Sequence, residues 1–360
     1  MEKEIITKNN RKHGIHITHN DADAVGCALV VSSFDHAYDF VENTYFCAIG
    51  KQDKVLLSAL EKDIENNNIP EYIIITDISL SESTCDYLEE LSRNHNIKLL
   101  GIDHHATNNL NEKYEWFKVY KETYYEDKRF PNGTSLSAAM YMLIYLCKEY
   151  DVIPPKAIYT LIDMISRYDT WEWKNQPYEY EGIYAGIKED VIATICKFMG
   201  PEKTFMELFK LHKPYSFNPS KLYPEFFQTI YDIEVSNRNY ILSKVDSKIR
   251  LITMDNYTCA LFISDNNYSN DIADYIKNTY DFIDMSIAIY PNSNRISFRT
   301  GSDDINVGKL AEEKYNGGGH PKAAGAIISD ESMAGFMHLY YMHSKPLEKY
   351  IGLMDTDELI

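Results

Sequence analysis

The first hundred residues of the chain repeat one pattern, in which a short apolar run ends at acidic or imidazole side chains and an amphipathic segment follows. Three such runs lie at residues 13–18, 72–76 and 98–102. Apolar runs of this length, separated by helical segments, are typical of parallel strands that are buried on both faces. The pattern therefore predicts an α/β fold whose N-terminal part is a doubly wound parallel sheet.

The side chains that follow the three runs are expected to lie together. Ligands of open α/β sheets bind just beyond the carboxyl ends of the strands, and here those ends carry His19, Asp21, Asp23, Asp77, Asp103, His104 and His105. Crowded carboxylates repel one another unless cations neutralise them. The convergence predicts a metal cluster, and mixed carboxylate and imidazole ligands suit Mn²⁺ or a similar divalent ion better than the thiolate-rich sets of structural zinc do.

Each of these ends has a simpler interpretation when it is taken alone. Asp21 and Asp23 could only cap the helix that follows them, because a helix N-terminus favours anions, and the histidine pair could belong to an ordinary polar loop. Repetition over three strands favours the metal interpretation. A fifth acid, Asp169, follows a predicted helix, and Arg167 could orient it. The aromatic residues next to it are expected to pack, although Trp171 or Trp173 could flank a base.

The last third of the chain predicts a second, smaller α/β domain. Hairpins are expected around Asp255-Asn256 and around Asn292 to Asn294, with helices between the strands. The segment Gly317-Gly318-Gly319-His320 removes side chains at a place where a ligand could reach backbone N–H groups. We therefore expect this segment to be a ligand-binding loop rather than a connector.

Charge and cysteine usage narrow the classes of function. A net charge of -18 argues against a protein that grips long duplex nucleic acid, since such binding depends on Lys and Arg, but it allows a short phosphodiester held by metal ions. The six cysteines are scattered, as in a reduced cytosolic protein. The polar start and the lack of a long apolar run predict a cytoplasmic protein with no membrane partner.

These residues together resemble the DHH phosphoesterase superfamily of the DHH plus DHHA1 type. Four motifs of the family are matched by Asp21-x-Asp23, Asp77, Asp103-His104-His105 and Asp169, and elements of its DHHA1 domain by Ser297-Phe-Arg299 and Gly317 to His320. The sequence around Asp21, Asp77 and Asp169 is most similar to the nanoRNase B-type branch. The leading histidine departs from other branches: Ile17 occupies its place, and His19 lies two residues before Asp21.

The resemblance implies a two-metal hydrolysis with two Mn²⁺ ions, Mg²⁺ or Co²⁺ being possible substitutes. Asp77 would bridge the ions, Asp21 with His19 would hold the first, and Asp23, His104 and Asp169 the second. His105 would contact the scissile phosphate and protonate the leaving oxygen, while Asp103 would fix the tautomer of an imidazole. Arg299, Gly317, Gly318, Gly319 and His320 would bind the rest of the substrate.

The change to helical segments between about Gly182 and Ser247 predicts a division of the chain. A DHH catalytic domain is expected at 1–182, a helical linker at 183–247 and a DHHA1 substrate-binding domain at 248–360, with the active site in the cleft between the domains. The sequence leaves the oligomeric state open between a monomer and a dimer.

Three classes of function remain open at this point. The preferred one is an exonuclease that degrades oligoribonucleotides of a few residues to nucleoside monophosphates. The second is a phosphodiesterase or phosphatase for a signalling nucleotide: a cyclic mononucleotide, a cyclic or linear dinucleotide, or 3′-phosphoadenosine 5′-phosphate. The third is a nucleotide sensor without activity. A pyrophosphatase is disfavoured, because its relatives carry a different C-terminal domain.

Overall fold

The computed structural model describes residues 12–34, 38–105, 108, 110–120, 136–175, 179–180, 182–212, 221–264 and 268–347, without the side chains of Phe34, Asn175, His320 and His343. The chain divides into two compact units, Met1–Tyr231 and Asp232–Ile360. The linker expected at 183–247 spans this boundary, and most of it belongs to the first unit. None of the helices in the described part of the chain combines the length and the apolar character needed to cross a lipid bilayer.

The first unit is built on a parallel five-stranded sheet, as the sequence predicts. Its strands are β1 (Gly14–Thr18), β2 (Thr44–Phe46), β3 (Tyr72–Thr76), β4 (Lys98–Asp103) and β5 (Phe117–Val119), in the order β2-β1-β3-β4-β5. Every neighbouring pair is parallel. The order reverses between β1 and β3, and such a switch point opens a crevice beyond the carboxyl ends of the two strands.

Helices complete the unit: α1 (Ala22–Phe34), α2 (Gln52–Glu65), α3 (Glu82–His95), α4 (Ala138–Glu149), α5 (Lys156–Asp169), α6 (Glu172–Asn175), α7 (Val191–Met199) and α8 (Pro201–His212). Helix α9 (Glu225–Leu242) contains the boundary between the two units. Ser81 caps α3 by accepting a hydrogen bond from the backbone nitrogen of Thr84 at 3.3 Å. A Cβ on Gly26 would lie 2.8 Å from the Cβ of Ala139. The glycine therefore lets α1 pack closely on α4.

The second unit is a mixed seven-stranded sheet with helices on both faces. Its elements are β6 (Arg250–Met254), β7 (Tyr257–Ile263), α10 (Ser269–Thr279), β8 (Met285–Tyr290), β9 (Arg295–Thr300), α11 (Val307–Tyr315), β10 (Gly318–His320), β11 (Ala323–Ile327), α12 (Asp330–His338) and β12 (Lys345–Pro346). Leu261 belongs to the core cluster that contains Phe336, whereas the next residue, Phe262, packs in the cluster of Ile276. Successive side chains of β7 thus point to opposite faces of the sheet and pack in the core on each face.

Both predicted hairpins of the second unit are confirmed. Strands β6 and β7 are antiparallel on either side of Asp255 and Asn256, whose φ angles are 51° and 70°. Strands β8 and β9 are antiparallel around Asn294, at φ 50°. Asn and Asp tolerate this left-handed conformation better than most residues do, so the turn residues make both hairpins readable from the sequence.

The glycine segment differs from the expected loop. Gly318 to His320 form the edge strand β10, which pairs antiparallel with β11. A Cβ on Gly317 would collide with the backbone oxygen of Gly325, and a Cβ on Gly319, at φ +143°, would lie 2.5 Å from the oxygen of Ala323. These two glycines are therefore needed for close strand packing. Gly318 differs from these two neighbours, because a Cβ added to it would meet no atom within 4 Å.

Candidate metal centre

The predicted residues of the first unit come together at the carboxyl ends of its strands. His19 and Asp21 follow β1, Asp77 follows β3, and Asp103 to His105 lie at the end of β4. Asp23 lies in the first turn of α1, and Asp169 is the last residue of α5. The switch-point crevice of the sheet is thus lined by carboxylates and imidazoles.

Among the described residues, three groups of potential metal ligands have donor atoms within 4.8 Å of one another. They are His19, Asp21 and Asp77; Asp23, His104 and Asp169; and Asp77, His104 and His105. Asp77 belongs to two of the groups, and so does His104. The three groups therefore overlap at Asp77 and His104, and each could hold a metal ion.

Asp77 is the most deeply placed carboxylate of the cluster. Its side chain is 2% exposed, and its backbone has a left-handed φ of 59°. Oδ2 has no hydrogen-bond partner among the described residues. Burial, together with the charges of Asp23 and Asp21, raises the pKa of Asp77 well above its usual value. A buried carboxylate oxygen without a partner is costly, and a cation would supply that partner, so the cluster fits a metal.

The two carboxylates of the Asp-x-Asp motif bind different helices. Oδ1 of Asp21 accepts a hydrogen bond from the backbone nitrogen of Ala24 at 3.1 Å and so caps α1. Asp23 accepts from the backbone nitrogens of Ala138 at 2.9 Å and Ala139 at 3.2 Å, at the start of α4. Burial and the charge of Asp21 raise the pKa of Asp23 to about 7. Capping and the metal interpretation are therefore compatible for this motif.

His19 reaches the cluster from the loop after β1. Its Nδ1 lies 2.7 Å from Oδ2 of Asp21 and 3.9 Å from Oδ2 of Asp77. Burial raises the pKa of Asp21, but the hydrogen bond and charge of His19 outweigh it, so that pKa lies below its usual value. Ile17, at the place of the family's histidine, is fully buried in β1. An imidazole therefore reaches the donor group from the loop after β1 and not from position 17 within the strand.

The two adjacent histidines have different environments. Nε2 of His104 lies 3.4 Å from Oδ1 of Asp77 and 3.3 Å from Oδ2 of Asp169. Burial, followed by the charge of His105, lowers the pKa of His104 to about 4, so its ring is neutral at pH 7, as a metal ligand requires. The hydrogen bond with Asp103 raises the pKa of His105, whose side chain is half exposed.

Asp103 holds the loop that carries both histidines. It accepts hydrogen bonds from the backbone nitrogen of His104 at 2.8 Å and from Nδ2 of Asn108 at 2.7 Å, and its Oδ1 lies 2.7 Å from Nδ1 of His105. Burial raises the pKa of Asp103, but these bonds bring it below its usual value. Asn108 was not identified from the sequence, because only the return of the loop brings this buried amide back to Asp103.

Arg167 pairs with two glutamates that follow α5 in the chain: Glu172, the first residue of α6, and Glu189. Its Nε contacts Glu189, and its guanidinium nitrogen lies 3.2 Å from Oε2 of Glu172. These bonds tie the start of α6 back to α5. The expected role of Arg167 in orienting Asp169 stays a prediction.

Two of the predicted substrate-binding residues, Arg299 and His320, lie in one row across three strands of the second unit. Ala323 of β11 is in register with Arg299 of β9 on one side and with His320 of β10 on the other. The guanidinium of Arg299 donates to Ser297 Oγ at 2.9 Å and to Oδ1 of Asn270 at 3.1 Å. Asn270, on α10, was not identified from the sequence. The side chain of His320 lies outside the described part of the structure.

Comparison with known proteins agrees with this geometry. Residues 256–339 match the DHHA1 domain. Oligoribonuclease NrnB of Bacillus subtilis (strain 168) is 28% identical over 319 residues, which cover 87% of this chain and 72% of the relative. A 3′,5′-cyclic-nucleotide phosphodiesterase of Helicobacter pylori (strain ATCC 700392 / 26695) is 20% identical over 349 residues, which cover 87% of this chain and 92% of the relative.

A solved structure, exonuclease RecJ bound to manganese, has the same fold. It aligns with a TM-score of 0.54 at 13% identity and covers 96% of this chain and 94% of its own. The matched domain, the ordered motifs and the shared fold together support a hydrolase of phosphate esters from the DHH/DHHA1 superfamily, near oligoribonuclease NrnB.

Proposed function

We propose that this phosphoesterase uses Mn²⁺ to hydrolyse oligoribonucleotides of a few residues to nucleoside 5′-monophosphates. The observation that carries the proposal is the place of Asp77 in two groups of potential ligands, with a buried carboxylate oxygen that lacks a partner among the described residues. The 28% identity to an oligoribonuclease supports the choice of substrate. We place the enzyme in the cytoplasm, where its six buried cysteines would remain thiols.

The donor groups suggest how the ligands are shared. Asp77 would bridge two ions, Asp21 and His19 would complete one site, and Asp23, His104 and Asp169 the other. Two metal ions in such a site lower the pKa of bound water and stabilise the attacking and leaving oxygens of an in-line displacement. Mg²⁺ or Co²⁺ would be the substitutes, since the oxygen and nitrogen ligands do not select Mn²⁺ strictly.

His105 is proposed to protonate the leaving oxygen. Its Nδ1 is engaged by Asp103, 2.7 Å away, which leaves Nε2 as the proton donor and fixes the orientation of the ring. The hydrogen bond with Asp103 also raises the pKa of His105, so that the imidazole keeps its proton to a higher pH. Asp103 acts here as a positioning residue, because its own bonds go to the loop that it holds.

The second unit would bind the part of the substrate away from the scissile bond. Arg299 can contact a phosphate through two parallel hydrogen bonds. The backbone positions of Arg299 and His320 flank Ala323 in one row, and Gly318 leaves space for a ligand beside that row. Arg299, Gly317 to Gly319 and His320 are therefore proposed as the substrate-binding set.

A second candidate is hydrolysis of 3′,5′-cyclic mononucleotides. The similarity to a cyclic-nucleotide phosphodiesterase, at 20% identity, favours it over the other signalling nucleotides. The same metal cluster would serve this reaction. We rank it below oligoribonucleotide hydrolysis, because the identity to the oligoribonuclease is higher.

A time course with a 5′-labelled pentaribonucleotide tests the proposal. With Mn²⁺ we expect stepwise shortening to mononucleotides, and no reaction with EDTA or with Asp77→Asn. 3′,5′-cyclic AMP and GMP are assayed in parallel. Faster turnover of the cyclic nucleotides than of the pentamer would select the second candidate, and no turnover of any substrate in Mn²⁺ would favour a nucleotide sensor.

A further inference from the structure

Trp171 is a half-exposed tryptophan next to the metal cluster. It is 51% exposed, although it lies only two residues after Asp169 of the metal cluster. Its backbone has a left-handed φ of 63°, a conformation that is a genuine outlier for a bulky residue. Neither burial nor local backbone preference explains a tryptophan at this position.

The surrounding segment holds this unfavourable conformation in place. The backbone nitrogen of Trp171 donates to the oxygen of Tyr168 at 3.2 Å, and the nitrogen of Lys174 donates to the oxygen of Trp171 at 3.2 Å. The Arg167–Glu172 pair ties down the next residue. Strained residues persist only where their surroundings determine them in this way, and they cluster at ligand sites.

One cationic side chain lies against the exposed indole, and it links the indole to a neighbouring aromatic pair. The ammonium group of Lys174 lies 4.7 Å from the centre of the Trp171 ring and 5.2 Å from that of Trp173. Trp173 stacks on Tyr168, with ring centres 5.4 Å apart. Nζ of Lys197 lies 3.5 Å from the hydroxyl of Tyr168. Aromatic faces combined with positive charge are the usual binding surface for single-stranded nucleic acid.

We propose that Trp171 is a stacking platform for a nucleobase of the substrate, with Lys174 beside it to contact the negatively charged backbone. The proposal rests on the proposed function and narrows it: the substrate must carry a base next to the phosphate that is cleaved. Stacking is tolerant of base identity, because every base has a π-face. Trp171 would therefore select nucleotides over other phosphodiesters without selecting one sequence.

The test removes the tryptophan and the base separately and together. We compare the wild type, Trp171→Ala and Trp171→Phe on the diribonucleotide pApA and on analogues in which one base is replaced by an abasic riboside. Trp171→Ala should lower kcat/KM for pApA by roughly 5- to 150-fold, the range of one base–aromatic stack. Trp171→Phe should restore most of it. On the abasic analogue that lacks the stacked base, Trp171→Ala should change kcat/KM less than about twofold. The contact between Trp171 and the base is already absent there, so removing the tryptophan as well has no further effect.

Tyr150→Ala is the control for removal of an exposed aromatic, since Tyr150 is 43% exposed and lies at the end of α4; it should behave as the wild type. An equal loss of kcat/KM on pApA and on both abasic analogues would make Trp171 a structural residue. No loss on any substrate would also overturn the platform.

A binding measurement separates this proposal from the proposed function. AMP should quench tryptophan fluorescence of the wild-type protein far more than ribose 5-phosphate does, and Trp171→Phe should abolish the difference. If the wild type cleaves no oligoribonucleotide, the proposed function fails while this titration still decides whether a base stacks on Trp171. Equal quenching by both ligands, or an unchanged difference in Trp171→Phe, would reject the platform.

Discussion

Oδ1 of the buried Asp103 lies 2.7 Å from Nδ1 of His105, whereas the intervening His104 points its Nε2 to Asp77 and Asp169, at 3.4 and 3.3 Å. Adjacent residues of one motif thus meet different partners. His104 has the surroundings of a metal ligand. His105 has those of an oriented proton donor, although it also belongs to a ligand group with Asp77.

This difference predicts distinct effects of removing each imidazole. His105→Ala should retain bound Mn²⁺ and slow the chemical step by roughly 10²- to 10⁴-fold, the usual effect of a positioned general acid. His104→Ala should weaken Mn²⁺ binding itself. Metal content after dialysis and single-turnover rates measure the two effects. Equal loss of metal from both variants would assign His105 to the metal as well.

Because Asp77 belongs to two of the ligand groups, its substitution should affect more than one metal site. Asp77→Asn keeps the shape of the side chain and a residue type that tolerates the left-handed φ of 59°, but it removes the charge. We expect loss of both ions and a fall in turnover of at least about 10³-fold. The fold should persist, because a buried charge is relieved. Calorimetric titration with Mn²⁺ and circular dichroism check both points, and one retained high-affinity ion would contradict bridging.

The raised pKa of Asp23 predicts how stability depends on pH when no metal is bound. Its pKa is about 7 in the folded protein, against an ordinary value of 3.8. Between these values the folded state binds more protons than the unfolded state, so the free energy of unfolding decreases as pH rises and the full penalty is present above about pH 7. Asp23→Asn does not titrate.

In EDTA, the stability of Asp23→Asn relative to the wild type should therefore increase by about 2 kcal/mol between about pH 5 and pH 7.5. Urea unfolding at the two pH values measures it. In Mn²⁺ the order should reverse, since only the wild type gains the full metal binding energy. A constant difference across this range in EDTA would mean that Asp23 ionises at its ordinary pKa.

Arg299 predicts a substrate-specific defect. Arg299→Ala should leave Mn²⁺ binding intact and lower kcat/KM for oligoribonucleotides about 10- to 100-fold, because a charged contact to the substrate is lost. Hydrolysis of bis-p-nitrophenyl phosphate should be nearly unchanged. Arg295→Ala is the matched control from the same strand, where the guanidinium stacks 4.2 Å from the ring centre of Tyr290. A parallel loss on the small diester would place Arg299 at the reacting phosphate.

The glycine segment predicts different outcomes for neighbouring substitutions. Gly319→Ala should destabilise the second unit by about 1–3 kcal/mol, because φ is +143° and the added Cβ meets Ala323 and Ala324. Gly318→Ala meets no atom within 4 Å and should unfold as the wild type does. If Gly318→Ala nevertheless raises KM for oligoribonucleotides, the open space beside it is used by substrate. Thermal unfolding and steady-state kinetics of both variants decide this.

Short-range sequence patterns determine much of the fold. Buried apolar runs such as Tyr72 to Thr76, helix caps such as Ser81 and turn residues such as Asn294 specify their elements through neighbours only a few positions away. The alternation of these elements determines a parallel sheet. Because strand ends of a parallel sheet share one edge, the convergence of Asp77 with Asp103 and His104 also follows from the sequence.

The tertiary structure decided what depends on contacts between distant segments. The sequence cannot show that Asp23 binds the start of α4, that Asn108 returns to Asp103, or that Gly317 and Gly319 are needed for strand packing, since each requires a partner placed by chain folding. His19 is a candidate ligand from the sequence, but only the structure shows that it reaches the cluster from a loop while Ile17 is buried in β1. Burial and charge at Asp77 and His104 arise from this assembly, and therefore so do their shifted pKa values.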